Sequence, residues 1–158
     1  MNFVHVELKR ETWFKPERKI ESPDDAVAAV QEMIENLDRE IVVCIHVATN
    51  GRVINASICS VGTMAQALIS PAEVLRTALL SGACKLLMIH NHPSGNCKPS
   101  NEDLQVAKQM ATACDLMGIK LLDFIIIGAY GYLHSVNQEE GAWLQPSYKW
   151  ISNDMITE

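Results

Sequence analysis

His90-Asn91-His92-Pro93-Ser94-Gly95-Asn96-Cys97-Lys98-Pro99-Ser100-Asn101-Glu102-Asp103 follows directly on the apolar run KLLMI at 85–89, and this junction sets the fold. KLLMIHN reads as a short central strand bounded by turn residues. Side chains alternate along a strand, so two histidines at i and i+2 leave it on one face and can converge on one ion. Pro93 and Gly95 turn the chain. Ser100 then opens a helix that brings Asp103 back to the strand end. Two His and one carboxylate are the ligand set of a catalytic zinc whose fourth position is left to water. H-x-H alone is weak evidence; H-x-H followed at this spacing by an S-x-x-D helix start is strong. His90, His92 and Asp103 are therefore the candidate ligands, and Zn2+ is the candidate cofactor. Asp103 also suits a capping box and the positive end of the helix dipole, and Ser100 suits a plain N-cap. These roles are compatible with ligation, because a carboxylate has two oxygens.

Working outward, IVVCIHV at 41–47 is a β-branched run that reads as a buried strand, with Glu40 at its front. Asn50-Gly51 is a hairpin signal, and RVINASICSV is the return strand. Ser22-Pro23-Asp24-Asp25 has the pattern of a capped helix start, and Val27, Val30, Met33, Ile34 and Leu37 recur at helical spacing. Ser70-Pro71-Ala72-Glu73 repeats that signature ahead of a second helix running to about Gly82. The third helix, from near Ser100, ends around Gly118, a suitable left-handed cap. IKLLDFIIIG and GYLHSV form a further strand pair. A short strand is expected near residues 1–8, and Trp143 and Trp150 are expected to pack back on the body. The order is β-α-β-β-α-β-α-β-β, an α/β sandwich with a mixed sheet in a single domain over 1–158, its core about 22–141.

The chain has 158 residues, 48% hydrophobic and 20% charged, which suits one globular core. No apolar run approaches the ~20 residues of a membrane span. The first residues alternate charged and apolar groups and lack the apolar core of a secretion signal. A net charge of −6 disfavours non-specific contact with phosphate backbones. The five cysteines are odd in number and contain no C-x-x-C, which fits a reducing compartment and a cytoplasmic location. Cys97 lies between the ligands but reads as a loop residue. His5, His46 and His134 read as structural, and Asn91 and Ser94 as local braces of the loop. A zinc-activated water needs a base. There is no H-E-x-x-H, so the base comes from elsewhere; Glu40 is the candidate.

Glu40, His90, His92, Ser100 and Asp103, with the run HNHPSG, a following PS and then D, resemble the RadC branch of the JAB/MPN metalloprotease family. Its pattern is Glu, then H-x-H, seven residues, Ser, two residues, Asp, and the resemblance covers roughly residues 38–141. It implies a JAB/MPN (cytidine-deaminase-like) three-layer sandwich, with a mixed and mostly antiparallel sheet flanked by helices. It also implies one zinc and hydrolysis of peptide or isopeptide bonds, with Glu40 as general base and Ser100 supporting the oxyanion. Departures are the missing helix-hairpin-helix segment, Ala72 for Arg, Ala107 for Thr, Phe124 for His and Ala48 for Asp. The expected partner is a peptide or protein substrate, with no strong nucleic-acid binding, no membrane, and a homodimer as one oligomeric option. The alternative is a non-catalytic MPN-type interaction module serving DNA repair or mobile-element processing. Such modules commonly lose ligands, and this chain keeps them all. A nuclease is disfavoured, because one His2Asp zinc and an acidic surface suit phosphodiesters poorly.

Overall fold

The computed structural model describes residues 5–9, 19–34, 37–62, 69–128 and 133–137. Within them lie α1 (Pro23–Ile34), β1 (Ile41–Val47), β2 (Val53–Val61), α2 (Pro71–Leu80), β3 (Lys85–Asn91), α3 (Asn101–Leu116), β4 (Lys120–Ile127) and β5 (Leu133–Asn137). The strands form one sheet in the order β2-β1-β3-β4-β5. β1 is antiparallel to β2 and to β3, β3 is parallel to β4, and β4 is antiparallel to β5. This is the expected mixed, mostly antiparallel sheet.

Alternation along the central strands builds two cores. Val42 and Cys44 of β1, Leu86 and Met88 of β3, and Leu121, Phe124 and Ile126 of β4 pack with α2 and α3 on one face. Val43, Ile45, Leu87, Ile89 and Ile125 pack with Ala26, Val30 and Ile34 of α1 on the other. Continuous apolar runs such as IVVCIHV are what a strand covered on both faces requires. Ile45, Leu86, Ile89, Leu121 and Ile125 are fully or almost fully buried, each worth about 1.5–3 kcal/mol of hydrophobic stabilisation before chain entropy.

Local signals set the boundaries. At α1, Asp25 accepts from the Ser22 and Glu21 amides and the Ser22 hydroxyl, while the Asp25 amide donates to Ser22 Oγ. α3 has the full capping box between Ser100 and Asp103 and closes at Gly118, whose φ of 68° lies in the left-handed region. α2 departs from expectation. Ser70 has N-cap backbone geometry but makes no side-chain cap bond, and Glu73 instead forms a two-pronged pair with Arg76 at 2.9 Å on each arm. Leu37 falls beyond the end of α1.

The expected first strand is not found where it can be seen. Residues 5–9 are in no strand, and Val6 is 60% exposed. Lys19 forms an isolated bridge with Arg52, just ahead of β2. Residues 1–4, Trp143 and Trp150 lie outside the described residues.

A candidate metal centre at the end of the third strand

His90 is the penultimate residue of β3, and His92 follows the strand end. His90 faces α3, whose first turn carries Asp103. Val42 pairs with His90 in the antiparallel β1–β3 ladder. Two residues back along β1 and two forward along β3, Glu40 comes opposite His92, on the face of Val42 and His90. The sheet register and the α3 cap thus gather residues from three elements. Glu40, His90 and His92 each offer a ligand atom, and these lie within 4.8 Å of one another. Asp103 joins them: its Oδ2 is 3.4 Å from His92 Nε2 and its Oδ1 is 3.7 Å from His90 Nε2.

The hydrogen bonds leave the facing atoms ready for an ion. His90 Nδ1 is 3.0 Å from the Ile41 carbonyl oxygen, and His92 Nδ1 is 2.7 Å from that of Asn96. A carbonyl only accepts, so both Nδ1 atoms carry the proton, and a neutral ring then presents an Nε2 lone pair. Asp103 Oδ2 accepts from the Ser100 amide and hydroxyl, both at 2.7 Å. Among the described residues, the buried side-chain atoms with no hydrogen-bond partner are His90 Nε2 and Asp103 Oδ1. Orphaned buried polar atoms cost stability unless something satisfies them. Tetrahedral zinc with bonds of about 2.0–2.2 Å holds its ligand atoms roughly 3.3–3.6 Å apart, close to the 3.7 Å between His90 Nε2 and Asp103 Oδ1. The donor set therefore fits a zinc ion.

Charge supports the same arrangement. Burial holds the His90 pKa below its ordinary value, so that ring stays neutral. The Asp103 carboxylate, acting against burial, raises His92. Burial pushes the Asp103 carboxyl up, but hydrogen bonds from His92 and Ser100 outweigh it and leave the pKa lowered. An ion here needs the unprotonated Nε2 of His92, whose pKa is raised, so binding weakens in acid.

Ser100 is at the rim. Its side chain is exposed, donates to Asp103 Oδ2 and accepts from the Asp103 amide at 3.1 Å. Its hydroxyl proton is committed to holding Asp103. Cys97 is half-buried against the α2–α3 core and stands apart from the gathered donors.

Two residues supporting the site escaped the sequence reading. Asn91 is not a local brace of the loop. It points to the face opposite His90, accepts from the Ile41 amide at 2.6 Å and donates to the Arg39 carbonyl at 3.1 Å. It therefore clamps the chain on both sides of Glu40. Gly128 sits under the loop. A Cβ there would collide with the Gly95 carbonyl oxygen and lie 3.0 Å from the Cys97 nitrogen. The adjoining Ile127 carbonyl accepts from the His92 amide at 2.8 Å. Close backbone approach requires glycine at 128; the only hint in the sequence was a glycine ending an apolar strand.

The departures also have places. Phe124 is fully buried and stacks on the His90 ring, centroids 6.5 Å apart. Ala107 is buried one turn after Asp103, Ala72 is exposed on α2, and Ala48 takes part in the β1–β2 turn through its bond to Arg52. His46 is buried away from the donors, its Nδ1 against Asn55 Oδ1 and Ser81 Oγ and its Nε2 3.4 Å from Thr77 Oγ1. It ties α2 to β1 and β2.

This sandwich and this donor cluster define a JAB-type module with a candidate metal centre. The profile of the RadC-like JAB domain matches residues 20–142. The chain is 40% identical over 109 residues to a UPF0758 protein of Rubrobacter xylanophilus, covering 69% of this chain and 48% of the relative. It is 34% identical over 119 residues to one of Methanosarcina acetivorans, covering 75% and 52%. It is 38% identical over 128 residues to one of Trichormus variabilis, covering 78% and 52%. The chain belongs to the RadC-like JAB domain family. It spans about half the length of the curated relatives it matches. No helix among the described residues is long and apolar enough to cross a membrane.

Proposed function

We propose that this chain is a zinc-dependent peptidase or isopeptidase, with His90, His92 and Asp103 as ligands and Glu40 as general base. The observation that carries the reading is the pair of orphaned buried atoms, His90 Nε2 and Asp103 Oδ1, facing one another across a ligand-sized gap. Bound zinc supplies Lewis acidity towards a scissile carbonyl and lowers the pKa of water to about 7. The Ile41 and Asn96 carbonyls hold the two imidazoles in the tautomer that presents Nε2. Glu40, clamped by Asn91, accepts the proton of the attacking water at a carboxylate oxygen and returns it to the departing amine. Ser100 holds Asp103, and it supports the oxyanion once its hydroxyl proton turns from Asp103 to the substrate.

The substrate is an extended peptide segment. β2 is one of the two edge strands among the described residues, with Ile58 and Val61 of that strand 54% and 58% exposed. A strand edge binds extended chains through main-chain hydrogen bonds, with alternate side chains giving selectivity. The charge of −6 argues against nucleic acid as substrate.

Zinc-loaded protein is tested on unfolded peptides, folded proteins and oligonucleotides, beside Glu40→Gln. We expect peptide cleavage that Glu40→Gln abolishes while keeping the metal, because Gln has the shape but cannot take the proton. Turnover by Glu40→Gln at the wild-type rate removes Glu40 as base. Cleavage confined to oligonucleotides overturns the substrate class. Stoichiometric zinc without turnover of any substrate favours the interaction module.

A further inference from the structure

Two cysteines outside the metal site approach one another across the β1–β2 ladder. Val42 pairs with Ser60 and Val43 with Ile58, so Cys59 is the extra residue of a β-bulge. In a regular ladder Cys44 faces Ser57, and Cys59 would be its more distant diagonal neighbour. The bulge brings Cys59 over Cys44, and the two sulfurs are 3.0 Å apart. A disulfide needs about 2.05 Å between sulfurs, so roughly 1 Å of closure separates the dithiol from the bond. Both thiols lie on the α2–α3 face of the sheet, Cys44 fully buried and Cys59 partly exposed.

We propose that Cys44 and Cys59 are a reversible dithiol–disulfide couple, with Cys59 the attacking thiol, Cys44 the resolving thiol and a low-molecular-weight disulfide the oxidant. The pair is chemically asymmetric in the needed direction. Cys59 is the one that solvent reaches, and the neighbouring Cys44 thiol lowers its pKa, whereas burial raises that of Cys44. The Cys59 thiolate attacks one sulfur of the small disulfide, forms a mixed disulfide and expels the first small thiolate, which takes a proton from solvent. The Cys44 sulfur then attacks the Cys59 sulfur. It breaks the mixed disulfide, and its proton leaves with the second small thiol. Two protein thiols lose two electrons, and one small disulfide becomes two small thiols. No ordered external thiol is needed for the second step, because the resolving sulfur is already in contact. Such a couple suits a reducing compartment, where disulfides are transient rather than structural.

The test uses the full chain, reduced and then equilibrated with mixtures of glutathione and glutathione disulfide. Free thiols are alkylated after denaturation and the chain is mapped without reduction. We expect two of the five thiols to escape alkylation, an intact mass lower by two hydrogens, and a Cys44 peptide joined to a Cys59 peptide. Added reductant should restore all five. Cys44→Ser should stop at a glutathione adduct on Cys59, and Cys59→Ser should leave Cys44 unmodified. A Cys44–Cys114 bond, or adducts at Cys84 or Cys97 with Cys44 and Cys59 still alkylated, overturns the proposal. The wild-type map alone decides between these outcomes should either variant fail to fold.

Discussion

Asn91 sits between two candidate ligands yet serves the other face of the strand. Its carboxamide satisfies the Ile41 amide and the Arg39 carbonyl, the peptide groups that flank Glu40. Asn91→Ala should therefore cost about 1–3 kcal/mol of stability, the usual cost of leaving a buried donor unpaired. Amide exchange at Ile41 should speed up together with the loss. Unchanged exchange at Ile41 would show that the clamp is not needed. Asp123 makes a second residue-level case. It is buried, accepts from the Phe124 amide at 2.8 Å and from the Ser135 hydroxyl, and burial raises its pKa from 3.8 to about 6. The folded state thus holds the proton more tightly than the unfolded chain. The resulting penalty is absent below about pH 4, grows as pH rises, and is full above about pH 6. In urea titrations at pH 4 and pH 7.5, Asp123→Asn should gain about 2–3 kcal/mol on the wild type between the two. A difference that does not change with pH would contradict this.

At the scale of elements, the same cap signature gave two outcomes. Ser100 and Asp103 cap α3 reciprocally, and that cap also aims Asp103 at the histidines. Ser70 and Glu73 have the same spacing, but Glu73 finds Arg76 one turn on and the cap bond is not made. Spacing shows that a bond is available, and competing partners decide whether it forms. The helices, the strand runs and the H-x-H…D pattern were legible because each is local or periodic. The Asn91 clamp was not, because its partners are 50 and 52 residues away. Nor was Gly128, whose reason is a loop packed against it. Gly128→Ala should push the loop at 95–97 outward, disturb His92 through its bonds to Asn96 and Ile127, and weaken zinc binding about 10-fold or more. Circular dichroism should stay that of the wild type, because neither core loses a side chain. Wild-type zinc affinity in this variant would mean that the loop adapts freely.

Across the whole molecule, α1 covers one face of the sheet and α2 with α3 cover the other. The sandwich leaves the end of β3 as the place where Glu40, just ahead of β1, meets His90, His92 and Asp103 of α3. Two apolar cores hold most of the buried side chains, and the candidate metal donors stand at their margin. His92 is only partly buried, so the fold should survive its loss. Of the expected first strand, residues 5–8 are in no strand, and residues 1–4 lie outside the described residues. The central claim is that the orphaned donors are metal ligands. Elemental analysis of chelator-free protein, wild type beside His92→Ala, tests it most directly. We expect one zinc per chain in the wild type and none in His92→Ala, whose circular dichroism stays that of the folded protein. A wild type that takes up no zinc even after zinc is added would contradict it.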